Sequence, residues 1–222
     1  MKYPGFINIH THQETSKENV LNIKNLFPNQ LREIEENSWY SMGIHPWYIE
    51  KNRLENELNV VREKGSGKNI VAIGEIGLDK LKGEEWSLQK DVFEKQVIIA
   101  QEVNKPVIIH CVKAYPDVLS VHKKMNPKVP FIIHGFNGNE QVADQLLKKG
   151  MYLSFGSLLL KDNFKGKEVF KKIPANAYLL ETDDSDVSIE IIYKKAAEIK
   201  KTSLENIRQE ISENFKKIFF SR

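Results

Sequence analysis

Short apolar, β-branched bursts alternate along this chain with amphipathic stretches, and that alternation constrains the fold more than any other feature. The bursts are Phe6-Ile7-Asn8-Ile9, Val20-Leu21-Asn22-Ile23, Trp39-Tyr40-Ser41-Met42, Ile70-Val71-Ala72-Ile73, Val107-Ile108-Ile109, Phe131-Ile132-Ile133, Met151-Tyr152-Leu153 and Ala177-Tyr178-Leu179-Leu180. Each has the length of a strand, and near-continuous apolar runs suit a parallel sheet covered on both faces. Helical spacing of apolar residues marks Leu54 to Lys64, Leu88 to Val103, Tyr115 to Met125, Glu140 to Lys149 and Phe164 to Lys172. Pro106, Pro130 and Pro174 close helix-to-strand loops, where a helix cannot continue. Gly150 after Lys148-Lys149 reads as a helix C-terminus, and Thr202-Ser203-Leu204-Glu205-Asn206 as the cap of a last helix running to about Ile218. Strands alternating with helices predict an α/β fold, a single distorted (β/α)8 barrel of the TIM type over residues 1–222. Its first covering helix is reduced or missing. Residues 11–19 are too polar and too few for one, and Pro28 to Asn37 holds only a short one.

Bulk properties fit this size of barrel. The 222 residues are 41% apolar and 28% charged, ordinary for a globular chain, and the net charge of +3 calls for no polyanionic partner. The lone Cys111 forms no intrachain disulfide. No signal-like N-terminal core and no apolar run near the roughly 18 residues of a membrane span is found, so a cytoplasmic location without membrane attachment is expected. No obligate protein partner is implied.

Residues able to bind metal fall at or just beyond predicted strand ends: His10, His12, Glu75, His110, His134 and Asp183. Side chains at i and i+2 of a strand share a face, so His10 and His12 can reach one ion. In a closed barrel the eighth strand neighbours the first, which brings Asp183 to them; the fifth and sixth strands bring His110 beside His134, with Glu75 free to bridge. Active sites of such barrels gather at this rim. Imidazole and carboxylate donors suit zinc, manganese, magnesium, iron or nickel, and paired divalent ions suit hydrolysis. Asp183 is the candidate base, because a carboxylate at the ion can take the water's proton and return it.

The segments His10-Thr11-His12, Gly43-Ile44-His45-Pro46, Gly74-Glu75-Ile76-Gly77-Leu78-Asp79, Gln89 through Phe93 to Gln96, Pro106-Val107-Ile108-Ile109-His110, His134-Gly135-Phe136, Ser154-Phe155-Gly156 and Leu180-Glu181-Thr182-Asp183 carry a resemblance, as does the ending Asn214-Phe215-Lys216-Lys217-Ile218-Phe219. They resemble, in order and over nearly the whole chain, the TatD family of metal-dependent hydrolases, a branch of the amidohydrolase superfamily that includes deoxyribonucleases. The resemblance implies two divalent ions, one held by His10 and His12 with Asp183, the second by His110 and His134, with Glu75 bridging. It makes Asp183 and Glu75 the catalytic candidates and places His45 at the substrate site. A strand-end histidine that only orders its loop is the other reading of His45.

Departures from the family pattern bear on the substrate. Asn8 stands where the family usually has an acid. Val112 stands where it usually has an arginine, with Lys113 next as the candidate phosphate contact. Asp184-Ser185-Asp186 runs almost directly into the next helix. The expected function is metal-dependent hydrolysis of phosphodiesters in DNA. The alternatives are hydrolysis of a small amide, ester or phosphoester, and a non-catalytic binding protein on the barrel fold. Lys161, Lys165 and Lys167 read as a solvated loop, and Lys80 and Lys82 invite the same choice between loop and phosphate contact. Cys111 is turned away from the side His110 uses and has no activating imidazole. His122 reads as surface. Trp47 and Phe136 are either pocket wall or loop packing.

Overall fold

A computed structural model describes residues 5–13, 18–31 and 34–220. The strands are β1 (Phe6–Thr11), β2 (Val20–Leu26), β3 (Trp39–Met42), β4 (Ile70–Asp79), β5 (Val107–Val112), β6 (Phe131–Ile133), β7 (Tyr152–Phe155) and β8 (Tyr178–Leu180). The helices are α1 (Leu54–Gly65), α2 (Trp86–Glu102), α3 (Tyr115–Met125), α4 (Glu140–Lys148), α5 (Gly166–Lys172), α6 (Ile189–Lys200) and α7 (Leu204–Phe219). Strand order in the eight-stranded sheet is chain order, β1 to β8, and Thr11 bridges in parallel to Asp183 just past β8. This is the (β/α)8 topology that the alternation predicts. Among the described residues no α-helix follows β1 or β2. Residues 14–17 and 32–33, inside the two segments expected to hold a reduced helix or none, lie outside the described residues. No helix is long and apolar enough to cross a membrane, among the described residues.

The chain forms two compact units, Met1–Lys24 with His134–Arg222, and Asn25–Ile133. In the first, β1 pairs with β2 in the register Phe6↔Val20 to Asn8↔Asn22, and β7 pairs with β8. The α6 residue Tyr193 is buried against β1; its hydroxyl donates to the Ile7 carbonyl (2.9 Å) and accepts from the Ile7 N–H (3.1 Å). The caps expected at α7 and α4 form as Ser203 accepts from Asn206 N–H (3.1 Å) and Gly150 takes φ +74 beyond α4.

In the second unit all ten residues of β4 are buried. The expected strand ended at Ile73, before Gly74. The strand continues because its glycines are needed for close approach rather than for a turn. A Cβ on Gly74 would meet Ile108 Cβ at 2.7 Å, and one on Gly77 would meet the His110 carbonyl at 2.0 Å. Glu75 therefore sits within β4, and His110 within β5, rather than beyond their ends. Pro130 and Pro106 keep their carbonyls in use, accepting from Val107 N–H (2.8 Å) and Ile73 N–H (2.9 Å).

Helix α2 carries Gln89, Phe93 and Gln96 on its inward face, at the i, i+4, i+7 spacing of one helical stripe. Gln96 brackets Ile44: its Oε1 accepts from Ile44 N–H (2.7 Å) and its Nε2 donates to the Ile44 carbonyl (3.0 Å). An apolar residue at 96 strands both buried backbone groups beside His45. Gln96→Met is expected to destabilise the fold by about 2–4 kcal/mol, read from urea unfolding. A loss below about 0.5 kcal/mol would show that Ile44 is held otherwise.

Candidate metal centre

Two clusters of imidazoles and carboxylates form, one in each unit. In the first, His10 is on β1 and His12 just beyond its end, and their rings meet edge to face at 4.9 Å. Asp183 follows β8. Its Oδ1 lies 3.5 Å from His10 Nε2 and 3.6 Å from His12 Nε2. The expected trio is thus brought together, and His134 joins it, its ring 4.6 Å from that of His10.

Backbone bonds hold Asp183 there. Its N–H donates to the His10 carbonyl (3.0 Å), and its own carbonyl accepts from His12 N–H (3.3 Å) and the Thr11 hydroxyl (3.4 Å). Asp183 has φ +54, a conformation an aspartate tolerates better than most residues. The preceding residue is clamped by Asn8. The Asn8 amide accepts from Thr182 N–H (3.0 Å) and donates to the Thr182 hydroxyl (2.9 Å) and to Asn22 Oδ1 (3.0 Å). A neutral amide at position 8 supplies the donors for the last two contacts, which an ionised acid lacks.

Glu181 was not singled out as a site residue in the sequence. It is fully buried, accepts from Gly135 N–H (2.5 Å), and lies 3.3 Å from His134 Nδ1. A carboxylate at one ring nitrogen orients the imidazole and leaves the other nitrogen for a ligand. The available signal was position: Glu181 directly follows β8 and stands two residues before Asp183.

The second cluster is built on β4, β5 and the turn after β3. Glu75 Oε1 lies 2.8 Å from His110 Nδ1 and 3.2 Å from His45 Nε2. His45 Nδ1 accepts from Trp47 N–H (3.1 Å), so neutral His45 carries its proton on Nε2 and donates to Glu75. His45 therefore orders its turn and also faces the cluster. The other nitrogen of His110 lies 3.2 Å from Asp79 Oδ2. Glu75 itself is fixed by its N–H bond to Asn25 Oδ1 (2.6 Å). Asp79 also accepts from the Trp47 indole N–H (2.7 Å) and Leu81 N–H (2.7 Å). Burial alone would raise the Asp79 carboxyl, but these donors and His110 outweigh it and hold it below the usual carboxylate range.

The donor chemistry fits divalent metal. Each set offers only imidazole nitrogens and carboxylate oxygens, lying within 4.8 Å of one another for His10, His12 and Asp183 and for His45, Glu75 and His110; with His45 donating to Glu75, Glu75 and His110 are the donors of the second set. Ligands at about 2.1 Å from one tetrahedral ion stand about 3.4 Å apart, close to the spacings around Asp183.

Residues 6–220 match the family model described as TatD related DNase. The chain belongs to the TatD related DNase family. Metal-dependent hydrolase YabD of Bacillus subtilis is 34% identical over 199 residues, covering 81% of this chain and 76% of YabD. The 3'-5' ssDNA/RNA exonuclease TatD of Pantoea ananatis is 31% identical over 150 residues, covering 65% and 57%. The crystal structure of YjjV, a TatD homologue from Escherichia coli K12, superposes with a TM-score of 0.83 at 20% identity over 98% of both chains, which shows the barrel fold. As a TatD-family member the chain is a metal-dependent hydrolase.

Other expected positions resolve plainly. Lys113 is exposed at the end of β5, with φ +55. His122, read as surface, is half-buried and its ring meets Phe131 edge-on (5.1 Å). Phe136 is core, whereas Trp47 faces the cluster. Lys161 and Lys165 are exposed. Cys111 is buried, and burial pushes its thiol up to about 12. At pH 8 it is therefore protonated and unreactive. Iodoacetamide is expected to leave Cys111 unmodified in the folded protein by mass spectrometry, and Cys111→Ala to keep full hydrolase activity. Rapid alkylation at pH 8 would contradict this.

Proposed function

We propose that this TatD-family chain hydrolyses phosphodiesters in DNA, working from strand ends, with a divalent ion at each cluster. The observation that carries the reading is the trio His10, His12 and Asp183 at ligand spacing in a member of this family. A relative named as a single-strand exonuclease supports the substrate class.

His10 and His12 would hold one ion with Asp183, and Glu75 and His110 the other, with His134 kept in ligating orientation by Glu181. Bound there, divalent ions lower the pKa of water to about 7 and polarise a phosphoryl oxygen. Asp183 has the exposure for proton transfer: its side chain is 42% exposed, while His10 beside it is buried. Its carboxylate takes the proton of the attacking water and returns it to the leaving oxygen. Glu75, fixed by His45, His110 and the Asn25 contact to its backbone, keeps one orientation through the cycle. Zinc, manganese, magnesium and nickel all accept this donor set.

A second reading, a small amide, ester or phosphoester as substrate, is favoured by Val112 in place of the family arginine and by the short link from Asp183 to Ile189. Salt separates the two. Binding of DNA through several phosphates weakens steeply as salt rises, whereas turnover of a small substrate hardly responds.

With manganese or magnesium added, purified protein is expected to shorten single-stranded DNA. Asp183→Asn should lose about 10²–10⁴-fold in kcat. Nuclease activity unchanged in that variant would point to a contaminant and remove the reading.

A further inference from the structure

We propose that Lys82, held over the indole of Trp47, is the side chain that grips a substrate phosphate in place of the arginine absent from position 112. The inference rests on the phosphodiester reading and names the residue that recognises the phosphate.

The loop after β4 is built to fix this lysine. Asp79 accepts from the N–H groups of both Leu81 (2.7 Å) and Lys82 (3.1 Å) through one carboxylate oxygen. From α2, buried Gln89 donates to the carbonyls of Asp79 (3.0 Å), Lys82 (3.2 Å) and Glu84 (2.8 Å) and accepts from Asp79 N–H (2.9 Å). Gly83 takes φ +103, and a Cβ there would meet the Pro46 carbonyl at 2.6 Å. The loop thus lies directly against the turn that carries His45 and Trp47. Three independent devices, a carboxylate, an amide and a glycine, converge on one short segment.

The two lysines of the loop end differently. Lys80 Nζ is 2.6 Å from Asp117 Oδ2, so its charge is matched. Lys82 Nζ stands 3.7 Å from the centre of the Trp47 ring, and among the described residues it has no carboxylate within ion-pair reach. An aromatic face holds an ammonium without neutralising it, so the positive charge stays available to an incoming anion. The same indole meets the rings of His45 (4.9 Å) and His110 (5.4 Å) edge to face and donates to Asp79. The cation therefore stands one side chain from the imidazoles of the second cluster. On its loop, Lys82 lines, with Lys80, Glu84 and Trp86, an open cleft of about 420 Å³.

A lysine is a point charge without the planar fork of arginine, so it binds phosphate from a different direction and need not occupy the arginine's position. Lys113, adjacent in sequence to Val112, has none of this support among the described residues: it is exposed at the end of β5.

The test compares Lys82→Ala, Lys82→Arg and Lys80→Ala in the metal-loaded protein on a thymidine oligonucleotide. Lys82→Ala should raise KM about tenfold with kcat within about twofold, and the slope of log KM against log salt should fall by about one ion. Lys82→Arg should restore most of KM, and Lys80→Ala should stay near wild type. Binding of inorganic phosphate, followed by tryptophan fluorescence, should weaken in Lys82→Ala alone. Equal effects of the Lys80 and Lys82 substitutions, or an unchanged salt slope, would overturn the assignment. A wild-type protein that cleaves no DNA yet binds phosphate through Lys82 would overturn the nuclease reading and support this one. Phosphate binding indifferent to Lys82 would overturn this one.

Discussion

One backbone bridge, between Thr11 at the end of β1 and Asp183 just past β8, governs the candidate metal centre. It sets the carboxylate of Asp183 between two imidazoles that a strand's own alternation has already turned to one side. The arrangement holds Asp183 in a left-handed conformation that costs about 1–3 kcal/mol for a non-glycine residue. Two backbone bonds, the Thr11 hydroxyl and the Asn8 clamp on Thr182 offset that cost. The Asn8 amide is fully engaged in that clamp, accepting from Thr182 N–H and donating to the Thr182 hydroxyl and to Asn22.

Much of this was legible in the sequence because it follows from periodicity. Bursts of strand length, prolines at strand entrances and a capped last helix gave the strand and helix order. His10, His12 and Asp183 followed from i, i+2 alternation and from the adjacency of first and last strands. The boundaries that went astray did so for a local reason. Gly74 and Gly77 look like punctuation, yet they are strand residues pressed against Ile108 and His110. That requirement belongs to a neighbouring strand and leaves no mark near the glycines themselves.

Residues that act by hydrogen bonds to distant backbone were the least legible. Gln96 serves Ile44, Gln89 serves the loop after β4, and Asp79 ties that loop to Trp47 and His110. Each is a buried polar group whose partner is remote in the chain or has no side chain, so spacing carries no information about it. The family motifs include these positions, but only geometry shows what they do. Together they organise the rim of the second cluster, where barrels vary substrate recognition while the strands stay constant.

The central claim is that imidazoles and carboxylates of the barrel strands and the turns just beyond them hold divalent metal. Anomalous diffraction from crystals grown with manganese or zinc tests it most directly. The account predicts a peak about 2.0–2.2 Å from His10 Nε2, His12 Nε2 and Asp183 Oδ1. Metal found only at surface side chains, with these three atoms at hydrogen-bonding distances and no density among them, would contradict it.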